Sequence, residues 1–269
     1  MKVAKVSQFS MMFLCFTLSL VLMVFSLWFV RIVPSGMLDR FDLTISDLVF
    51  YLPVSVWIAF FALEALLMFL FLHNSKGPTR VAAYGFMFAI LLVILTAFYG
   101  IPYITEPNPR FVDSWYHGNT AKGIIDYGNL QPERFYYQAY PSSFIFLSVF
   151  SIATGIELTS LLRILPLILI PLFFCFLTLF FNNLFKNLKL ATISVLVYGL
   201  STYALIFHFS PEIFGWLFFL ALLVFLAKSI QENSGFGFFS RENFAVILLL
   251  LVGIATTHAV TEFITLLIM

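Results

Sequence analysis

The sequence predicts an all-α membrane protein, a polytopic bundle of about seven to eight transmembrane helices. Apolar residues make up 62% of the chain and charged residues only 10%, whereas soluble domains are roughly a quarter charged. Several apolar runs reach the ~20 residues that a helix needs to cross ~30 Å of hydrocarbon. Helices satisfy their own backbone hydrogen bonds in lipid, which favours them for these runs.

The first apolar run, residues 9–33, follows Lys2 and Lys5 and contains Arg31 near its end. It exceeds the ~7–15 apolar residues of a signal peptide and has no small-residue cleavage site. We therefore expect an uncleaved first span with a cytoplasmic N-terminus.

Two further spans are predicted at residues 47–72 and 81–100. Glu64 lies near the middle of the second span, where an ionisable group is either functional or hydrogen-bonded in a helix contact. The sequence shows no partner for it, which favours the contact. Residues 1–80 are thus expected to form an N-terminal pair of spans that precedes a membrane core at 81–269.

A long polar interval then separates the third span from the next one, and we predict that residues 101–157 form an external loop. Its last part, 142–156, is an apolar segment that is short for a span. If it crossed the membrane, four basic residues of later loops would lie outside; if it lies flat, they lie inside, as the positive-inside rule requires. These are Lys186, Lys189, Lys228 and Arg241. We expect a surface helix here.

Later spans are predicted at 158–181, 190–207, 211–227 and 244–257, with an eighth beginning near Thr261. The sequence stops at Met269 inside that apolar run, which suggests a fragment truncated at its C-terminus.

The predicted topology places most of the remaining ionisable side chains on the external side. Asp113 could act as a general base, with Trp115 and Tyr116 as an apolar flank that partly removes it from water. A solvated loop with interfacial aromatic residues is an equally good interpretation. The other candidate substrate-binding residues are His117, Glu157, Arg163, His208, Glu212 and His258.

Two of these residues also have ordinary structural roles. Arg163 would lie below the membrane surface, where it needs an anion such as a lipid phosphate, or could instead snorkel or pair with Glu157. Glu212 directly follows Pro211 and would complement the N-terminal dipole of a helix.

The sequence lacks the motifs of several other classes of enzyme. The sequence has no HExxH or other compact metal-ligand spacing, no GxSxG elbow and no GxxxxGK[ST] phosphate loop. We therefore assign no metal ligands and no cofactor, and a divalent metal is possible but not favoured. The net charge of +1, with its basic residues spread along the chain, argues against a nucleic-acid partner.

Several motifs resemble a known family. They are D-x-W-Y-H (113–117), A-x-x-I-x-x-x-G-x-L (121–130), YP (140–141), TG-x-E (154–157), L-x-R-x-L-P (161–166), SPE (210–212) and TH (257–258). In order and spacing, residues 81–269 resemble archaeal members of the glycosyltransferase-C superfamily, which includes oligosaccharyltransferases and protein mannosyltransferases.

The resemblance implies a membrane enzyme that uses a polyprenyl- or dolichyl-phosphate sugar as donor. It implies that Asp113 is the acid of the external loop. The acidic partner that the family pattern places two residues later is Trp115 here, which puts a metal-dependent mechanism in doubt.

The function expected from the sequence is therefore a glycosyltransferase, or a degenerate relative, at the outer face of the cytoplasmic membrane. Its partners would be membrane lipid, a lipid-linked sugar and a glycan or protein acceptor. The alternatives are a transporter or flippase for a lipid-linked or polar substrate, and a non-catalytic scaffold subunit. A transporter is expected to have ionisable residues in the middle of its spans and an inverted repeat. Glu64 is the only ionisable residue that the sequence places near the middle of a predicted span.

Overall fold

The computed structural model describes residues 13–24, 52–72, 79–106, 108–109, 111–201, 208–232, 241–258, 261 and 264–265. Every regular element in these ranges is a helix, so the all-α prediction is confirmed. Most of the expected eighth span, the ends of the first span and residues 202–207 of the 190–207 span lie outside the described residues.

The helices are numbered here in chain order. They are α1 (Phe13–Val24), α2 (Val54–Leu72), α3 (Thr79–Thr105), α4 (Val112–Tyr127), a 3₁₀ turn (Tyr136–Ala139), α5 (Ser142–Thr154), α6 (Leu158–Phe185), α7 (Leu188–Ser201), α8 (Pro211–Glu232) and α9 (Arg241–Thr257).

Four of these helices contain segments long and apolar enough to cross a membrane, namely Val54–Leu72, Ala82–Thr105, Leu158–Phe185 and Pro211–Ser229. This agrees with a membrane protein, although four is fewer than the seven to eight spans expected. The other apolar helices, α1, α5, α7 and α9, have 17 residues or fewer. Three of them, α1, α7 and α9, border residues outside the described part of the chain.

The chain divides into two compact units, Met1–Pro107 and Asn108–Met269. In the first unit α2 packs on α3, with Leu63 and Leu67 of α2 fully buried and the rings of Phe60 and Phe98 6.0 Å apart. In the second unit α6 packs against α7 and α8, and α8 packs against α9. The pair α4 and α5 packs on α6. The functional division that the sequence suggests after residue 80 stays a prediction.

Glycine ends both α4 and α5. Gly128 and Gly155 adopt left-handed conformations, with φ of 69° and 68°, and their backbone N–H groups donate to Ile124 O and Ser151 O. A residue with a Cβ is strained there, whereas glycine closes the last helical turn freely. Only three residues then separate α5 from Leu158, where α6 begins.

Candidate functional site

The helices α4 and α5 lie side by side and run in the same direction. Ser148 Oγ of α5 donates a 2.9 Å hydrogen bond to Ala121 O of α4, across 27 residues of sequence. One turn earlier on both helices, the rings of His117 and Phe144 lie 5.7 Å apart at the same sequence separation. A constant separation means that both helices advance together, so their N-termini lie at the same end of the pair.

Small residues let α4 pack closely on its neighbours. A Cβ at Gly118 would lie 2.6 Å from Leu162 Cδ1 of α6, and a Cβ at Gly123 would lie 2.7 Å from the ring of Phe135. Ala121 is fully buried. The inner face of α4 is therefore built for contact rather than for solvent, although the helix lies in the most polar part of the sequence.

The segment between the two helices returns the chain to the starting end of α4. Gln138 holds it there: its Nε2 donates to Thr120 O at 3.0 Å, and its Oε1 accepts from Gln131 N. Gln138 is only 2% exposed, and both ends of its amide are satisfied. This buried amide ties the connecting segment to the middle of α4.

Two predicted site histidines meet at this end of the pair. The rings of His117 and His208 are stacked, with centroids 6.0 Å apart and planes 10° apart. His208 also contacts Phe111, the residue before α4, at 5.6 Å, and Tyr137 packs edge-on to His117 at 5.3 Å. Residues from three separate parts of the chain therefore converge on the first turns of α4.

The environment of His117 keeps its imidazole neutral. Burial and, to a smaller extent, the nearby His208 and His258 lower the pKa of His117 from 6.5 to about 4, whereas the carboxylate of Asp113 acts in the opposite direction. Burial dominates because a charged ring loses hydration that the surrounding aromatic residues do not replace. At neutral pH the ring thus offers one N–H donor and one acceptor nitrogen.

Three buried polar atoms at this end have no hydrogen-bond partner among the described residues. They are Nδ1 of His117 and the hydroxyl oxygens of Ser114 and Ser143. The side chains are 6%, 0% and 1% exposed, respectively. Buried polar groups are nearly always paired, so three unpaired ones on one pair of helices need a reason. Sequence reasoning missed both serines, because an isolated serine carries no motif.

Asp113, the predicted base, lies in the first turn of α4 and is exposed. The charges of Asp113, His208 and His258 all act on His117. The two aromatic residues predicted to flank Asp113 are also exposed: Tyr116 is 62% exposed and Trp115 is 38% exposed. Trp115 Nε1 donates to Pro109 O at 3.0 Å, which ties its ring to the segment before α4.

The remaining candidates lie on other helices. Glu212 is exposed in the first turn of α8, and its carboxylate accepts a 3.2 Å hydrogen bond from Trp216 Nε1. Glu157 is the exposed residue before α6. Arg163 is partly buried on α6, next to the Leu162 that packs on α4. These three residues are not among the groups that act on His117.

An apolar groove of about 400 Å³ runs along the outward face of α5. Ile145, Phe146, Val149 and Phe150 line it together with Ser142 and Ala153. Phe146 also contacts Phe214 of α8 at 5.5 Å, so the groove borders a helix long enough to span the membrane.

No group of three or more His, Cys, Asp or Glu side chains in the described ranges is arranged to hold a metal ion. Neither a protein-family model, nor a curated protein, nor a solved structure matches this chain. The likeness to glycosyltransferase-C enzymes therefore rests on the sequence motifs.

Proposed function

We propose that the protein is a membrane glycosyltransferase that moves a sugar from a polyprenyl- or dolichyl-phosphate donor to a glycan or protein acceptor. The observation that supports this most is the position of Asp113, an exposed carboxylate in the first turn of α4 that acts electrostatically on the buried His117. A carboxylate at the rim of a partly buried polar cluster suits proton abstraction from a hydroxyl group.

In the proposed reaction Asp113 takes the proton of the acceptor hydroxyl while the oxygen of that hydroxyl bonds to the anomeric carbon. The bond between the anomeric carbon and the phosphate oxygen breaks, and the lipid phosphate leaves with the electron pair. Trp115 stands where the family pattern has a second acid, so the proposal assigns no protein-held metal to the step.

The proposal includes a topology. The N-terminus is cytoplasmic, about seven to eight helices span the cytoplasmic membrane, and 101–157 lies outside. With 13 residues, α5 extends only about 20 Å at ~1.5 Å per residue, which suits a surface helix better than a span. Its apolar groove could hold the isoprenoid chain of the donor, because a volume of about 400 Å³ falls within the ~300–1,000 Å³ of ligand pockets.

Sugar transfer in membranes tests the proposal directly. Membranes that contain the full-length protein are given polyprenyl-phosphate donors with a radiolabelled sugar, with and without a chelator. Asp113→Asn should reduce transfer by roughly 10²–10⁴-fold, the usual contribution of a general base, and the chelator should have no effect.

Asp126→Asn is the matched control. Asp126 is an exposed carboxylate of the same helix, paired with Lys122 at 2.9 Å, so this variant should transfer at the wild-type rate. Equal transfer by wild type and Asp113→Asn would refute the role of Asp113. If the wild type transfers no sugar, the transporter and scaffold interpretations replace the glycosyltransferase.

A further inference from the structure

We propose that the adjoining N-terminal turns of α4 and α5 form a binding site for a phosphate-type oxyanion. Ser114, Ser143 and His117 would supply its hydrogen bonds. The site itself rests on the geometry of the helix pair; naming the donor's phosphate as one source of the anion rests on the function proposed above.

The parallel register brings the two serines within about one helical turn of each other along the pair. His117 pairs with Phe144 across the interface, so Ser114, three residues earlier on α4, lies level with Pro141 at the start of α5. Ser143 is two residues further along. Both serines are therefore within the first helical turns, next to backbone N–H groups that have no partner inside their own helix.

The electrostatic field at this end favours an anion. The N-terminus of a helix carries a partial positive charge, and parallel helices add their fields at the same end. The residues that precede α4 and α5 are Phe111 and Pro141, and neither caps its helix with a side-chain hydrogen bond. The N-terminus of α8 begins three residues after His208, which stacks on His117, so a third helix start is near.

The hydrogen-bonding groups suit the same ligand. Two hydroxyl groups and an imidazole Nδ1 are buried there and unpaired among the described residues. A serine hydroxyl can donate to an anionic oxygen, and so can a neutral imidazole that carries its proton on Nδ1. Hydrogen bonds to a charged ligand are stronger than those between neutral groups. An oxyanion bound there would accept hydrogen bonds from both hydroxyl groups and the imidazole.

Binding would also be linked to protonation. The imidazole of His117 is neutral, and an anion beside it would favour the protonated ring. The other titratable groups that act on it are Asp113, His208 and His258. Asp113 opposes the anion, but it lies at the exposed rim, where solvent screens its charge. Phosphate binding should therefore take up protons below neutral pH.

The test uses the full-length protein in nanodiscs of phosphatidylcholine, titrated with inorganic phosphate at pH 6. The readout is the ¹⁵N chemical shift of labelled imidazoles, together with ³¹P line broadening. Wild type should bind saturably, with the His117 resonance moving toward the protonated form. Ser114→Ala and Ser143→Ala should each weaken binding about tenfold or more, because each removes a hydrogen bond to a charged group.

Ser148→Ala is the matched control. Ser148 is equally buried, but its hydroxyl already donates to Ala121 O and Phe144 O, so this variant should bind phosphate as wild type does. The two test variants lose no hydrogen bond to any residue that the structure describes, so they should fold. Equal responses to phosphate in wild type and both test variants would overturn the proposal, and so would a wild type that responds neither to inorganic phosphate nor to the lipid phosphate described next.

A second arm identifies the source of the phosphate. Nanodiscs that contain phosphatidic acid should move the His117 resonance without added phosphate if a lipid head group enters the site. If only free phosphate moves the resonance, the source is soluble. A response in either arm supports the site, and no response in both overturns it.

The outcome is separable from that of the proposed function, because binding is measured without sugar transfer. Asp113→Asn should keep phosphate binding while it loses transfer. Phosphate binding in a wild type that transfers no sugar would retain the site and refute the enzyme. Normal sugar transfer with no phosphate binding would retain the enzyme and refute the site.

Discussion

Acidification should destabilise the second unit through His117. The pKa of this residue is lowered from 6.5 to about 4 in the folded protein, whereas the unfolded chain has the ordinary value. At pH values between 4 and 6.5 the unfolded chain binds more protons than the folded protein. The free energy of unfolding therefore falls as the pH falls from 6.5 to 4, and this loss is complete below pH 4. The difference between the two pKa values corresponds to a total loss of about 3 kcal/mol in the free energy of unfolding.

Comparison with His117→Phe isolates this contribution from other titrating groups. Phenylalanine keeps an aromatic ring against Phe144 and Tyr137, and it removes the unpaired Nδ1. The free energy of unfolding is measured by denaturant titration in a mild detergent at pH 7 and pH 4.5. Wild type should lose about 2–3 kcal/mol more than the variant between these two pH values.

Two results would refute this reasoning. One is the same pH dependence in both proteins. The other is a His117 pKa near 6.5 when it is measured by NMR in the folded protein, because the imidazole would then be hydrated or paired rather than buried and neutral.

Two other substitutions test the packing around the site by thermal unfolding in detergent. Gly123→Ala should lower stability by about 1–3 kcal/mol, because its Cβ would lie 2.7 Å from the ring of Phe135. Gly85→Ala on α3 is the control: its Cβ would meet no atom within 4 Å, so it should raise stability by up to about 1 kcal/mol. Equal effects of the two substitutions would contradict this account. Gln138→Ala should cost about 1–3 kcal/mol, because it removes the hydrogen bond to Thr120 O and leaves the backbone N–H of Gln131 without its acceptor. Unchanged stability would show that the amide does not hold the loop.

The helical class could be predicted from the sequence, because the apolar runs have the length and composition that lipid demands. The short length of α5 was also visible: residues 142–156 were too few for a comfortable span, and the structure gives a helix of 13 residues there.

The parallel packing of α4 and α5 could not be predicted. The segment that joins the two helices is tied to α4 by Gln138, which bonds to a backbone carbonyl 18 residues away, and no local pattern encodes such a contact. The two buried serines were missed for the same reason, since Ser114 and Ser143 acquire their significance only when both helices start at the same end. The stacking of His117 on His208 likewise joins residues that are distant in sequence.

The role of Glu212 illustrates a different difficulty. The sequence suggested either an external binding group or a partner of a helix dipole. The structure places this carboxylate in the first turn of α8 with a hydrogen bond from Trp216 on the same helix. The position in the first turn agrees with the dipole role, and the role of Glu212 as a binding group stays a prediction.

The connection between α5 and α6 has only three residues, which limits how far the end of α5 can lie from the start of α6. From Thr154 to Leu158 the chain can extend at most roughly 14 Å, so the end of α5 stays close to the start of a helix that is long enough to cross a membrane. If α5 lies at the membrane surface as proposed, a molecule that diffuses within the lipid sheet searches two dimensions to find it, whereas a soluble partner must first reach the membrane surface.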